Sequence, residues 1–578
     1  MADWRRLLPC IWSLGLALLV LGPALAPGYL LSYDMVWVPD LALRPDFLGV
    51  GSGLPRAVPS DAVVAVLDEI VPGMLLQKLV LVAVLVAGGL GARRLTDPRS
   101  LGAQLVAITL YQWNPFVAER LLVGHWPVLV GYAVLPWVIL AAQRWRTTGE
   151  LPPRLWCLVP LGCLSAGAGL VTAVVLFAFA VERSGRRLAM VAILVVAGNA
   201  PWLVSGVLHA SEAVTDPAGA SAFALHAEGS VPAPLAALGL GGIWNSEVVP
   251  PSRTGAAGWL SVALLVVLVG IGLRRWVRYA GRREVAAFTT CWVLGWGIAV
   301  LTWAAPDQMA WMVAHVPGSG VLRDGARLLA LCAPLLVAAA GHGAATVLGG
   351  VAPAARPATA VVLLLAPVAV MPDAAFGVAG RLTPTELPAD YALAREAMAR
   401  DLSSGSRGDV LLLPLTSYRQ PAWNHGHKVL DPVGRFLAPD FVAGDDLFVS
   451  GRRIAGEDPR ARAAAAILER PTPEERSAGL AGLGVGYVVT ERGPGPVPAV
   501  TGTVVHDGPE LVVRSLEDPV ARPTPWSWRI AMSVAWFLFL GLFLVGLGSR
   551  NRRAVRRVVS ILEIEIGCYS CRRVQGGP

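Results

Sequence analysis

Apolar runs of roughly 17–25 residues recur along this chain, and arginine-dense turns separate many of them. That length is what a helix needs to cross the hydrocarbon core of a bilayer. Inside lipid no water can satisfy the backbone, so such a run has to bond its own N–H and C=O groups as a helix. Composition agrees: 55% of the residues are hydrophobic and 15% are charged, against about 25% charged in a soluble domain. The formal net charge is +8. The arginines lie between apolar runs rather than on one stripe, so the charge marks the cytoplasmic side of a membrane and not a nucleic-acid surface. Lys78 and Lys428 are the only lysines, a skew that points to a GC-rich coding genome.

Counting the runs predicts a polytopic α-helical membrane protein of about 12 transmembrane helices, with a C-terminal extracytoplasmic α/β domain before the last helix. Helix 1 is expected at 10–31, with an outer loop from Ser32 to Val71. Later helices are expected at 73–92, 101–113, 127–142, a short pair within 155–181, 188–208, 257–273, 286–304, 326–349, 358–371 and 526–548. Arg93-Arg94, Arg144 to Arg146, Arg183 to Arg187, Arg274 to Arg283 and Arg550 to Arg557 then all fall on one side, with both termini cytoplasmic in a plasma membrane. Ala24-Leu25-Ala26 imitates a signal-peptidase site, but Pro27 follows it, and an uncleaved first helix is expected. The units are 1–372 (membrane module), 373–524 (outer domain), 525–548 (last helix) and 549–578 (basic tail).

In the outer domain a helix is expected over 388–402. Val410 to Pro414, Gly486 to Thr490, Thr503 to Val505 and Leu511 to Val513 read as strands, and Pro459 to Leu480 reads as helical. The domain has no cysteine, so disulfides do not hold it. Cys568 and Cys571 form a lone CxxC, half a zinc site at most. His425 and His427 have a strand-like spacing that puts both rings on one face, with Asp431 nearby and no convincing further ligand. Walker, dinucleotide and zincin motifs are absent.

Charged groups at a membrane face are costly, so those near the outer helix ends carry functional interest. Asp34 and Asp40 lie in Ser32-Tyr33-Asp34-Met35-Val36-Trp37-Val38-Pro39-Asp40, just after helix 1. Glu119, Arg120 and His125 lie in Tyr111-Gln112-Trp113-Asn114-Pro115-Phe116-Val117-Ala118-Glu119-Arg120-Leu121-Leu122-Val123-Gly124-His125-Trp126. Arg323, Asp324 and Arg327 enter the 326–349 helix from outside, where the positive-inside rule does not explain arginine. Arg323 and Arg327, four apart, are expected on one helix face. Each has a plainer reading. The aspartates can simply solvate a loop, Glu119–Arg120 can be a surface pair, His125 can anchor a helix at the interface, and Arg323–Asp324–Arg327 can be a structural ion cluster.

The acid after helix 1, the Tyr111–Trp126 segment and Gly131-Tyr132 through Leu135-Pro136-Trp137 resemble the mycobacterial arabinofuranosyltransferases of the GT-C superfamily. The likeness covers about the first third of the chain closely and the rest in layout. It implies an inverting transferase that takes a sugar from a polyprenyl-phosphate donor to a glycan or glycolipid of an actinobacterial envelope, outside the cytoplasm. Asp34 would be the base, with Asp40 second choice. Arg120, Arg323 and Arg327 would hold the phosphate, with Glu119, His125 and Asp324 beside them. No cofactor is fixed by the motifs; a divalent cation is the candidate, with no ligand set assigned. Membrane lipids are the remaining partners. The alternatives are a scaffold with a degenerate site, or a lipid or glycan transporter. Transport fits less well, because no internal repeat is evident and His342 is the ionisable group noted at a helix centre.

Overall fold

The computed structural model describes residues 4–572 apart from 52, 212–215, 217, 317, 450 and 494. Side chains from 550 onward are outside the description, so the expected arginine tail and Cys568/Cys571 are followed as backbone only. Among the described residues eight helices are long and apolar enough to cross a bilayer: Arg6–Leu25, Gly73–Leu95, Trp126–Thr148, Gly185–Leu208, Ala256–Ala304, Ala333–Gly350, Pro353–Val370 and Trp526–Ser549. Large apolar side chains such as Val362, Phe537 and Leu544 stay exposed on them, as on a lipid-facing surface. This is a multi-pass membrane protein.

Several boundaries depart from expectation for local reasons. Helix 1 stops at Leu21 rather than Leu31. Gly22, at φ +46, and Pro23 turn the chain into a short 3-10 segment, and Tyr29–Leu30 then pairs antiparallel with Pro384–Thr385. The runs expected at 257–273 and 286–304 lie in one stretch, Ala256–Ala304, broken at Gly281 (φ 76, ψ 160). The 326–349 helix begins only at Ala333, where Pro334 sits in its first turn; Gly325–Leu331 before it is 3-10. Arg323 and Arg327 therefore do not share an α-helical face. Leu101–Gln112, Leu155–Leu161 and Ala166–Ala180 are shorter than a full crossing requires.

Residues 409–515 centre on a five-stranded sheet. Asp409–Leu413 runs parallel to both Phe441–Val442 and Val485–Glu491, and Leu511–Ser515 and Thr503–Asp507 extend the sheet antiparallel. A parallel central strand is covered on both faces, which is why Val410 to Leu413 is an unbroken apolar run. Pro459–Leu468 packs on it through Ala461, Ala464 and Ile467.

The loop after helix 1 is stitched to this sheet unit. Arg44, 2% exposed, donates to the carbonyls of Gly434 (2.5 Å), Pro439 (3.1 Å) and Leu437 (3.3 Å). Tyr33 N–H donates to the Lys428 carbonyl and Leu430 N–H to the Tyr33 carbonyl, both at 2.8 Å. The membrane helices also touch through bare backbone. A methyl group at Gly343 would lie 2.0 Å from the Leu268 carbonyl oxygen, and one at Gly272 would lie 1.9 Å from that of Ala339. Small residues allow this approach in membranes. Gly343→Ala should therefore destabilise the protein by about 1–3 kcal/mol, whereas Gly349→Ala, which meets nothing within 4 Å, should be neutral; thermal unfolding in detergent compares the two.

Candidate active site

The loop after helix 1 is folded hard against the turn before Trp126–Thr148. Asp34 N–H donates to the Val123 carbonyl at 3.1 Å. Gly124 sits at φ +82, and a Cβ there would come within 2.0 Å of the Met35 nitrogen, so only glycine admits this approach. The fusion sets Asp34 beside His125. Asp34 Oδ2 lies 3.1 Å from His125 Nε2, and Asp34 Oδ1 accepts from the Tyr418 hydroxyl at 2.6 Å. Tyr418 comes from the sheet unit, 384 residues away. Enclosure by protein tends to raise the Asp34 pKa, but the His125 and Tyr418 hydrogen bonds and the Arg327 charge outweigh it. The net shift is downward, and Asp34 is a carboxylate at neutral pH.

The tautomer of His125 follows from its other partner. Arg120 Nη1 lies 3.1 Å from His125 Nδ1. A guanidinium can only donate, so Nδ1 accepts; Arg327 Nη2 also approaches Nε2, but at 3.5 Å against 3.1 Å for Asp34 Oδ2, so Nε2 carries the proton given to Asp34. Burial and the nearby Arg327 charge push the His125 pKa down to about 4, so the ring is neutral. Asp324 closes the chain. Its Oδ2 lies 2.7 Å from Arg327 Nε and 3.5 Å from Arg120 Nη1. Burial works against its charge, but Arg120 and Arg327 hold its carboxyl below the usual range. Two carboxylates, two guanidiniums and one neutral imidazole thus form a balanced, connected cluster.

This cluster forms part of the wall of a cavity of about 520 Å³. Asp34, His125, Arg323, Asp324 and Arg327 all line it, so the three sequence segments that carried them converge. Arg323 pairs with Glu457 and lies 4.8 Å from the centre of the Phe223 ring. Arg327 is one-third exposed, a cation available to a ligand. Trp126, Trp202, Phe223 and Trp244 give the cavity aromatic surface.

Other expected residues lie elsewhere. Asp40 is turned outward at φ +53, its side chain 70% exposed, and pairs with Arg395 at 2.6 Å. Arg120 and Glu119 are buried behind the cavity wall, not on a surface as the plainer reading had them. Glu119 adjoins Glu228, which pairs with the fully buried Arg253 at 2.7 Å. Burial and Glu228 push the Glu119 carboxyl well above its usual range. His425 and His427 flank a left-handed turn rather than a strand, and Asp431 is held by Arg419 at 2.8 Å. Among the described residues no three His, Cys, Asp or Glu side chains are gathered to hold a metal.

Sequence reasoning missed Tyr418, Arg56 and Arg435, which also line the cavity. Arg56 carried a signal, an arginine in a loop expected on the outer side of the membrane. Tyr418 carried none, because its contact exists only once the sheet unit docks.

No family model matches the chain, and no curated protein matches it. Solved structures do. The arabinofuranosyltransferase AftD from Mycobacteria aligns over 90% of this chain and 40% of its own length, with 15% identity and a TM-score of 0.56. A mutant form of AftD gives 0.54 over 89% of this chain. The oligosaccharyltransferase of Archaeoglobus fulgidus aligns over 85% of this chain and 70% of its own, with 13% identity and a TM-score of 0.42. The AftD likeness shows that the chain shares the fold of that arabinofuranosyltransferase, the likeness that the sequence motifs implied. The chain spans 40% of the length of AftD.

A histidine whose folded pKa lies below its unfolded value binds its proton more readily when unfolded, so stability falls as pH drops through that interval. For His125 the interval runs from the ordinary 6.5 down to about 4. Melting temperature across this range should fall more steeply in the wild type than in His125→Gln, which removes the titrating group; parallel curves would contradict a neutral buried His125.

Proposed function

We propose that this chain is a membrane glycosyltransferase that moves a sugar from a polyprenyl-phosphate donor to an envelope glycan or glycolipid on the extracytoplasmic side. The observation that carries this reading is a carboxylate, Asp34, facing the same cavity as the cations Arg323 and Arg327. The fold shared with an arabinofuranosyltransferase supports it.

In the reaction an acceptor hydroxyl oxygen attacks the anomeric carbon of the donor. As the new C–O bond forms, the bond from that carbon to the phosphate oxygen breaks, and the phosphate leaves with the electron pair. Asp34 takes the hydroxyl proton. A single displacement of this kind inverts the anomeric centre. The leaving phosphate needs no proton if cations meet its charge, and Arg327 with Arg323 supplies them. His125 donates to one oxygen of Asp34 and fixes its orientation, while the buried Arg120 fixes His125. Arg120 acts here as a positioning residue and not as a phosphate ligand. Glu119, further back, belongs to the buried support of Arg120. Asp40 takes no part. Both termini lie on the cytoplasmic side in this reading, which leaves the cavity on the outer face.

The test is sugar transfer by the purified protein in nanodiscs, with a panel of labelled polyprenyl-phosphate sugars. Asp34→Asn should lower kcat by about 10²–10⁴-fold with donor binding retained, and Arg327→Ala should weaken donor binding. Full activity in Asp34→Asn would remove Asp34 from the chemistry, and wild-type protein that neither binds nor turns over any donor would overturn the reading.

A further inference from the structure

A second, smaller cavity of about 90 Å³ adjoins the first. The two share Pro55, Arg56, Ala57, Asp61, Leu430 and Arg435 as lining, so they meet at a common wall. The smaller one lies between the first outer loop and the sheet unit, and Phe47 and Phe441 give it apolar surface. Ser417 lines it, and the next residue, Tyr418, donates to Asp34. Consecutive Cα atoms are about 3.8 Å apart, so one short piece of backbone serves both this cavity and Asp34.

We infer that this second cavity is part of the acceptor subsite, and that it takes the hydroxyl-bearing edge of a neutral sugar ring of the acceptor glycan that reaches in from the larger cavity. The inference rests on the glycosyltransferase reading above.

Three arguments select that occupant. An anion is disfavoured: Asp46, Asp61, Asp431, Asp440 and Asp458 line the cavity, five carboxyl groups against the two arginines Arg56 and Arg435. A metal cation is disfavoured, because among the described residues no three carboxylate, histidine or cysteine groups converge. Sugar hydroxyls both donate and accept, and the wall suits them. Asp440 lies beside Asp46, and burial together with that neighbour pushes its carboxyl up to about 7. Near neutral pH the pair therefore holds a proton part of the time and presents a donor as well as acceptors. The Arg44 guanidinium covers one face of Phe47 and of Phe441, 4.1 and 4.9 Å from the ring centres, and the ring surface left lining the cavity offers the apolar contact that a sugar's C–H groups require.

Gly53 provides a clean way to fill the space. A Cβ built there meets only Asp458 Oδ2, at 3.6 Å, an ordinary contact. Gly53→Leu would place its side chain in the cavity without displacing backbone, and Asp440→Ala would remove hydrogen-bonding groups instead of volume. Equilibrium binding to full-length protein in nanodiscs would be measured with two probes: a panel of neutral octyl furanosides and pyranosides, and dodecyl phosphate. The expected result is that at least one octyl glycoside binds the wild type, that both variants weaken it by about tenfold or more, and that dodecyl phosphate binds all three proteins alike. Equal glycoside binding in wild type and both variants would overturn the inference, as would a wild type that binds no glycoside. Glycoside binding that both variants lose, with no dodecyl phosphate binding anywhere, would uphold the cavity assignment and overturn the phosphate-donor reading.

Discussion

Arg120 is an arginine with 1% of its surface exposed, and the arrangement around the larger cavity depends on how that cation is accommodated. A buried guanidinium is tolerable only where polar partners replace its water and a carboxylate balances its charge. Here Nη1 faces both His125 Nδ1 and Asp324 Oδ2, and the guanidinium lies 5.4 Å from the centre of the Phe116 ring. Those partners are constrained in turn. His125 is forced into one tautomer and so presents a donor to Asp34. Asp324 is held ionised and so fixes Arg327 at the cavity edge. One desolvated charge therefore sets the orientation of both the proposed base and a proposed phosphate ligand. The cluster has little freedom to rearrange, because moving any member strands a charge.

Much of the membrane portion was legible because the bilayer imposes a length. Gly73–Ala92 and Trp526 as the start of the last helix match their sequence-based bounds. Errors came where local chemistry interrupts an apolar run that is long enough on paper. Gly22-Pro23 cuts helix 1 short, and Pro334 delays the helix after Arg327. The sheet strands were readable from their β-branched and leucine-rich runs, but their order was not, since pairing Asp409–Leu413 with Val485–Glu491 requires a long crossover.

For the candidate site, sequence reasoning singled out Asp34, His125, Arg323, Asp324 and Arg327, which line one cavity, because charge beside helix ends expected on the outer side is conspicuous. It ranked Asp34 ahead of Asp40, six residues apart in one loop, through the family resemblance alone. The backbone separates them: Asp34 is pinned against the Gly124 turn, while Asp40 turns outward to Arg395. Tyr418 and Arg435 were invisible for a different reason. They reach the cavity only because Arg44 and Tyr33 tie the loop after helix 1 to residues 428–439. The sheet unit is thus part of the cavity wall, and what it contributes, a hydroxyl on Asp34 and a second enclosed space, lies where an acceptor would approach.

The most direct measurement is a high-resolution structure of the protein in nanodiscs with a polyprenyl phosphate bound. The account predicts phosphate oxygens within about 3.2 Å of the Arg327 or Arg323 guanidinium, inside the larger cavity, with Asp34 facing the open space next to it. A phosphate seated instead on the arginines assigned to the cytoplasmic side, or in the acid-lined smaller cavity, would contradict it.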